Sequence, residues 1–231
     1  MTEQAELRPG IASKRWPGAI HELLATGHLP ADTPGLAALE TDLPPDWHVL
    51  VQKDGLFDQQ GWPLRHDAEL AYRACILEPL NDTIARAHLS VVRAWLDGKT
   101  TNEALGAAWR ASAAVRIGAA FAASPPSDAA CLEVYEKMCP DATEADRAMF
   151  LEARRHPPAV TTAWLAVESA FLAREGWLSY YAYRGILPQP PVHAATALRA
   201  AVEARLVSWT EVVDWARELA RSGSSGKTHE H

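Results

Sequence analysis

The side chains best placed to do chemistry in this chain are its nine histidines, its carboxylates and its three cysteines, and their spacing limits what they can do. A di-metal centre in a helix bundle takes Glu-x-x-His from each of two helices, so that both ligands of a pair face inward. No Glu-x-x-His occurs; the nearest approaches are Glu152 with His156, four apart, and Glu78 with His88, ten apart. His156 follows Arg154-Arg155 and precedes Pro157-Pro158. Cations in a last turn complement the helix dipole, so a solvated helix end is expected there. His88 adjoins a stripe through Ile84 and Val91 and is expected as a hydrogen-bonded interior or boundary residue. Cys75, Cys131 and Cys139 have no CxxC spacing and are odd in number, so they read as small core residues in a reducing compartment. The GxSxG elbow and the GxGxxG and GxxxxGK[ST] phosphate loops are absent. We therefore expect no metal and no cofactor. An enzyme would need a site assembled from Glu and His residues distant in sequence.

The second chemical feature is aromatic. Trp177-Leu178-Ser179-Tyr180-Tyr181-Ala182-Tyr183-Arg184-Gly185 combines large amphipathic rings, small adaptable residues and a guanidinium, the composition of a recognition surface. Trp177, Tyr180, Tyr181, Tyr183 and Arg184 are the candidate partner-binding residues. The stretch from Trp177 to Pro191 matches neither the helical nor the strand period, so it reads as irregular. Its other reading is an aromatic lid over a bundle, with the hydroxyls bonded to loop backbone.

Two places invite a nucleic-acid test. The segment AVEARLVSWTEVVDWAREL has the outline of a helix-turn-helix, yet its second helix sets Glu211, Asp214 and Glu218 beside Arg217 and Arg221. Base reading calls for Arg, Lys, Asn or Gln at such positions, so a packed helical hairpin is expected instead. The N-terminal order of two helices and a hairpin has the outline of a winged helix-turn-helix, but Lys14, Arg15 and Lys53 stand against Glu22, Asp32, Glu40, Asp42 and Asp46.

These residues must be positioned by helices. Thr100 and Glu103 stand at capping-box spacing, and Leu105, Trp109, Ala113, Ile117 and Phe121 recur every four residues along one face. The other faces are small, mostly Ala and Gly, which lets neighbours approach closely. That helix is expected near the centre of a bundle, ending at Ser124-Pro125-Pro126. Before it, Pro17 and Thr33-Pro34 open two short helices, the first stopped by Gly27. Trp47 to Gln52 is rich in β-formers and Asp54-Gly55 follows, a hairpin signal. From Asp67 the helical period runs through Leu70, Ala74, Leu77, Leu80, Ile84, Ala87, Val91 and Trp95 to Gly98, kinked or divided at Pro79. After the central helix, Ser127 caps one helix, Asp141 with Glu144 the next, and a third runs from about Ala159 to Glu175 with Gly176 as its C-cap. The last two span about His193 to Arg205 and Trp209 to Arg221, the latter capped by Ser208 with Glu211.

The fold expected is mainly α: an irregular bundle of about eight helices with one small β-hairpin near residues 47–58. Residues 1–64 could form an N-terminal lobe of two short helices and the hairpin, 65–222 the bundle, and 223–231 a disordered Gly/Ser-rich tail. A net charge of −7 argues against broad attachment to nucleic acid or anionic membrane. Arg110 and Arg116 interrupt the Ala-rich stretch from Thr100 to Ser124, which argues against a membrane span. The N-terminus has neither a basic region nor an apolar core of a signal peptide, so a cytoplasmic location is expected. The function expected is that of a non-enzymatic interaction module of a bacterial regulatory or immunity type, taking a protein partner and open to homo-oligomerisation. The bacterial element rests on Ala richness and on Arg far outnumbering Lys. The alternatives are a helical-bundle enzyme or cofactor or metal carrier, and a DNA-binding regulator.

Overall fold

The computed structural model describes residues 18–43, 64–79, 83–123, 127–158, 162–182 and 190–225. They form α1 (Gly18–Ala25), α2 (Leu36–Asp42), α3 (Leu64–Cys75), α4 (Thr83–Leu96), α5 (Asn102–Ala120), α6 (Asp128–Met138), α7 (Glu144–Arg155), α8 (Ala163–Ala182), α9 (Pro190–Glu203) and α10 (Trp209–Ser225). The ten helices exceed the eight or so expected. The run from Asp67 to Gly98 makes two helices, because Pro79 lacks an N–H and excludes the helical conformation from the residue before it. No strand occurs among the described residues, and the hairpin expected near 47–58 lies outside them.

The caps follow the local chemistry, shifted in places from the spacing-based expectation. The N-cap of α5 is Thr101, not Thr100; its hydroxyl accepts from the Ala104 N–H. Ser127 caps α6 as expected. The capping box of α7 is Thr143 with Asp146, not Asp141 with Glu144. The Ala142 N–H closes a turn onto the Cys139 carbonyl, so the helix starts only after that turn. Ser208 and Glu211 form the reciprocal pair at the start of α10. Gly27 and Gly98 stop α1 and α4 in the left-handed region, at φ 73° and 70°.

Three adjoining cores organise the packing. The largest joins α1, α2, α3, α9 and α10 to the start of α8, through Leu23, Leu39, Leu70, Leu198 and Val213. A middle core is built from Ala68 of α3, Val92 and Trp95 of α4, Leu105 of α5 and Val167 and Ala170 of α8. The third lies among α5, α6 and α7 around Ile117, Tyr135 and Phe150, whose Tyr135 and Phe150 rings stack at 4.5 Å. The buried face of α4 is Ala85, Leu89, Val92 and Trp95, one residue round from the Ile84, Ala87, Val91 stripe; Ile84 itself is exposed.

The middle of the bundle belongs to α3 and α8 rather than to α5. α8 packs against α3, α4, α5 and α9, and from Leu165 to Ala170 every residue is buried. The sequence shows an apolar stripe through Val160, Trp164, Val167 and Phe171, but a stripe marks one covered side and does not show that neighbours cover the others. α5 packs against α4, α7 and α8, and it bridges the middle and third cores. Its small residues serve that bridge: a Cβ on Gly118 would lie 2.3 Å from the Phe150 carbonyl oxygen of α7.

Two carboxyl side chains tie the elements together. The Ala19 N–H at the start of α1 donates to the fully buried Asp67 side chain of α3 at 2.9 Å, which satisfies one of the backbone donors that a helix N-terminus leaves unpaired. Gly18 makes this approach feasible, since a Cβ there would sit 2.3 Å from the same oxygen. Glu78, just beyond α3, accepts from the N–H and hydroxyl of Thr162, one residue before α8. The Cys75 thiol donates to the Thr162 carbonyl, and burial pushes its pKa up to about 12, so it is a packing residue.

Candidate functional site

The aromatic stretch is helical where its pattern predicts an irregular segment. α8 continues through Gly176 to Ala182, so Gly176 is no C-cap and Trp177, Tyr180 and Tyr181 belong to helical backbone. Glycine costs helix stability only weakly, by about 1 kcal/mol against alanine, and the helix continues through it. These three residues stand at i, i+3 and i+4, the spacing that shares one side of a helix. Tyr183 and Arg184 lie outside the described residues. The other end of the same helix is the enclosed centre of the fold, so the aromatic turns extend a stem anchored by packing.

Residues 204–208 join α9, which begins at Pro190, to α10, but the packed hairpin expected of this pair is not formed: α10 packs on α2 and α3, while α9 packs on α1, α3 and α8. The cations of α10 are engaged within the fold. Arg217 and Arg221 both bind Asp42 of α2, at 2.8 and 3.0 Å, and Glu218 pairs with Arg73 of α3. The Arg side chains that base reading would need are therefore the ones that dock α2 onto α10.

A buried polar cluster between α5, α8 and α9 belongs to no sequence motif. Glu168 of α8 is 8% exposed and lies between α5 and α8. Its Oε2 accepts from Trp109 Nε1 at 2.8 Å, and its Oε1 accepts from Arg116 Nη2 at 3.3 Å. Trp109 in turn stacks on Phe171 at 4.2 Å. The Arg116 guanidinium lies 4.9 Å over the Trp164 ring, and Trp164 meets His193 of α9 edge-on at 5.8 Å. Burial raises the Glu168 pKa against the opposing pull of Trp109 and Arg116. Burial, helped by the Arg116 charge, lowers that of His193 to about 4. The signal available in the sequence is a single acid in the apolar run Trp164 to Leu172; a buried lone carboxylate needs donors, and Trp109 and Arg116 supply them.

The residues weighed as metal ligands do not converge. His156 is the exposed C-cap of α7 and Glu152 is exposed beside it. Glu78 is held by Thr162, while His88 sits half-buried on α4. Among the described residues no group of three or more His, Cys, Asp or Glu side chains is arranged to hold a metal ion, and the three cysteines are unbridged. Among the described residues no helix is long and apolar enough to cross a membrane. In comparisons with protein-family models, curated proteins and solved structures, none matches this chain.

Proposed function

We propose that the protein is a non-enzymatic partner-binding module, regulatory or immunity-type, which takes a protein partner on the aromatic end of α8. The supporting observation is the continuity of that helix. Residues 163–174 are fixed in the centre of the fold, and Trp177, Tyr180 and Tyr181 follow on the same helical backbone at i, i+3 and i+4. This is the anchor spacing of helix-in-groove recognition, and Trp and Tyr are the residues that dominate interface energetics. A stem held by packing also lowers the ordering cost of binding. The ion pairs of Arg217 and Arg221 with Asp42 weigh against the DNA-binding alternative.

The test is capture of a partner from the native host by the full chain and by a variant with Trp177, Tyr180 and Tyr181 changed to Ala. Loss of at least about thirtyfold in affinity with the melting temperature kept is expected for hot-spot rings. Equal capture by both proteins, or a variant that unfolds, places the rings outside any interface.

The helical-bundle enzyme remains as a second reading because Glu168 and His193 shift in opposite senses at one junction, the pattern of acid and base assignments. Both Glu168 oxygens already have donors within the fold, which favours a structural role.

A further inference from the structure

α3 and α4 run antiparallel, and the Arg65 guanidinium near the start of α3 donates to the Trp95 and Leu96 carbonyls at the end of α4. Along their outer side lies an open groove of about 610 Å³, within the size range of small-molecule sites. Leu89, 4% exposed, and half-buried Tyr72 form its floor, and Ile76, 47% exposed, is an apolar wall left facing water.

The charged groups of the groove are nearly all committed. Asp97 is held by Arg93 and Lys99, and Arg93 also binds Glu69 and lies 5.2 Å over the Tyr72 ring. Glu78 is occupied by Thr162. Arg86, exposed on the first turn of α4, lines the groove and has no ion pair among the described residues. The groove thus offers an apolar wall ending at one uncompensated guanidinium.

We propose that this groove binds an amphipathic carboxylate, its chain along Tyr72, Ile76 and Leu89 and its carboxylate on Arg86. A neutral chain leaves the guanidinium unmatched, a cation is repelled by Arg86, and a small anion gains nothing from the wall. From Arg86 to Asp97, α4 rises about 16 Å at 1.5 Å per residue, which suits a medium-length chain lying along the helix. A carboxylate on a guanidinium forms charge-assisted hydrogen bonds, about twice as strong as neutral ones, so the charge should decide selectivity. The site is built from α3 and α4 and uses none of the aromatic residues of α8, so its failure would leave the partner-binding reading untouched.

The experiment titrates the full chain with decanoate below its micelle concentration, with decanol and acetate as controls, following backbone amide shifts by NMR and heat by calorimetry. One decanoate per chain is expected, with shifts centred on Ile76, Arg86 and Leu89, about tenfold weaker binding of decanol and none of acetate. Arg86→Gln should weaken decanoate about tenfold and bring it level with decanol, and Ile76→Asp should weaken both. Both residues are exposed, so the melting temperature checks that each variant is folded. Absence of saturable decanoate binding, shifts centred elsewhere, equal affinity for decanol and decanoate, or an unaffected Arg86→Gln would each overturn the proposal.

Discussion

His193 shows how burial of one side chain becomes a property of stability. Burial between α9 and the Trp164 ring lowers its pKa to about 4, and burial lowers His66 of α3 equally. In the unfolded chain both imidazoles take up a proton below the usual value near 6.5, while in the native state they do so only near 4. The unfolded state therefore binds more protons between those values, so the stability these residues confer is fully present above pH 6.5 and is lost as pH falls to 4. Glu168 works against them over part of the range, because its raised pKa keeps a proton on the native state where the unfolded chain has already lost it. With two histidines set against one carboxylate, the melting temperature should fall on acidification from pH 6.5 to 4. His193→Gln should make that fall shallower while lowering stability at pH 7 modestly. A pH-independent melting temperature across this window, or an unchanged slope in the variant, would show that His193 is protonated in the native state.

At the scale of elements the informative contact is α5 on α7. On intrinsic propensity, Gly118→Ala should stabilise α5 by about 1 kcal/mol. The contact decides otherwise. The added Cβ would meet the Phe150 carbonyl at 2.3 Å and the Ala153 methyl at 3.1 Å, and a backbone carbonyl can yield only if the helices part. Overpacking of this kind costs about 1–3 kcal/mol. Gly118→Ala is therefore expected to be destabilising by up to about 2 kcal/mol net in urea denaturation, and a raised midpoint would mean that α5 and α7 separate freely. Ala107→Gly, at an exposed position of the same helix, should cost only the propensity difference.

Across the whole molecule, stability should be graded by how many neighbours close over each helix. α8 is enclosed by α3, α4, α5 and α9, whereas α6 rests chiefly on α7 and leaves Val134 and Met138 exposed. Native-state hydrogen exchange should find the amides of Leu165 to Ala170 among the slowest and those of α6 among the fastest helical ones. Equal protection of the two helices would mean that the three cores open as one unit.

Most of the helical architecture is legible in the order of residues alone. Proline and glycine act on the nearest turn, so Pro79, Gly27 and Gly98 place their boundaries without tertiary help. The Ser127 cap and the Ser208 and Glu211 box are local for the same reason. What the pattern misplaces are features that depend on neighbours. The centre of the bundle is α8 because α3, α4, α5 and α9 all pack against it, and the apolar stripe legible in its sequence does not reveal how many neighbours cover it. Gly176 reads as a stop because glycine weakens any helix, yet α8 continues through it. The Glu168 cluster cannot be foreseen because Trp109, Arg116 and His193 come from α5 and α9, far from Glu168 in sequence. Local rules thus determined where helices begin and end, since capping and φ restriction act within a turn. Only the tertiary structure decided which helix is central, which charges are held and which groove is left open, since burial is a property of what surrounds a residue.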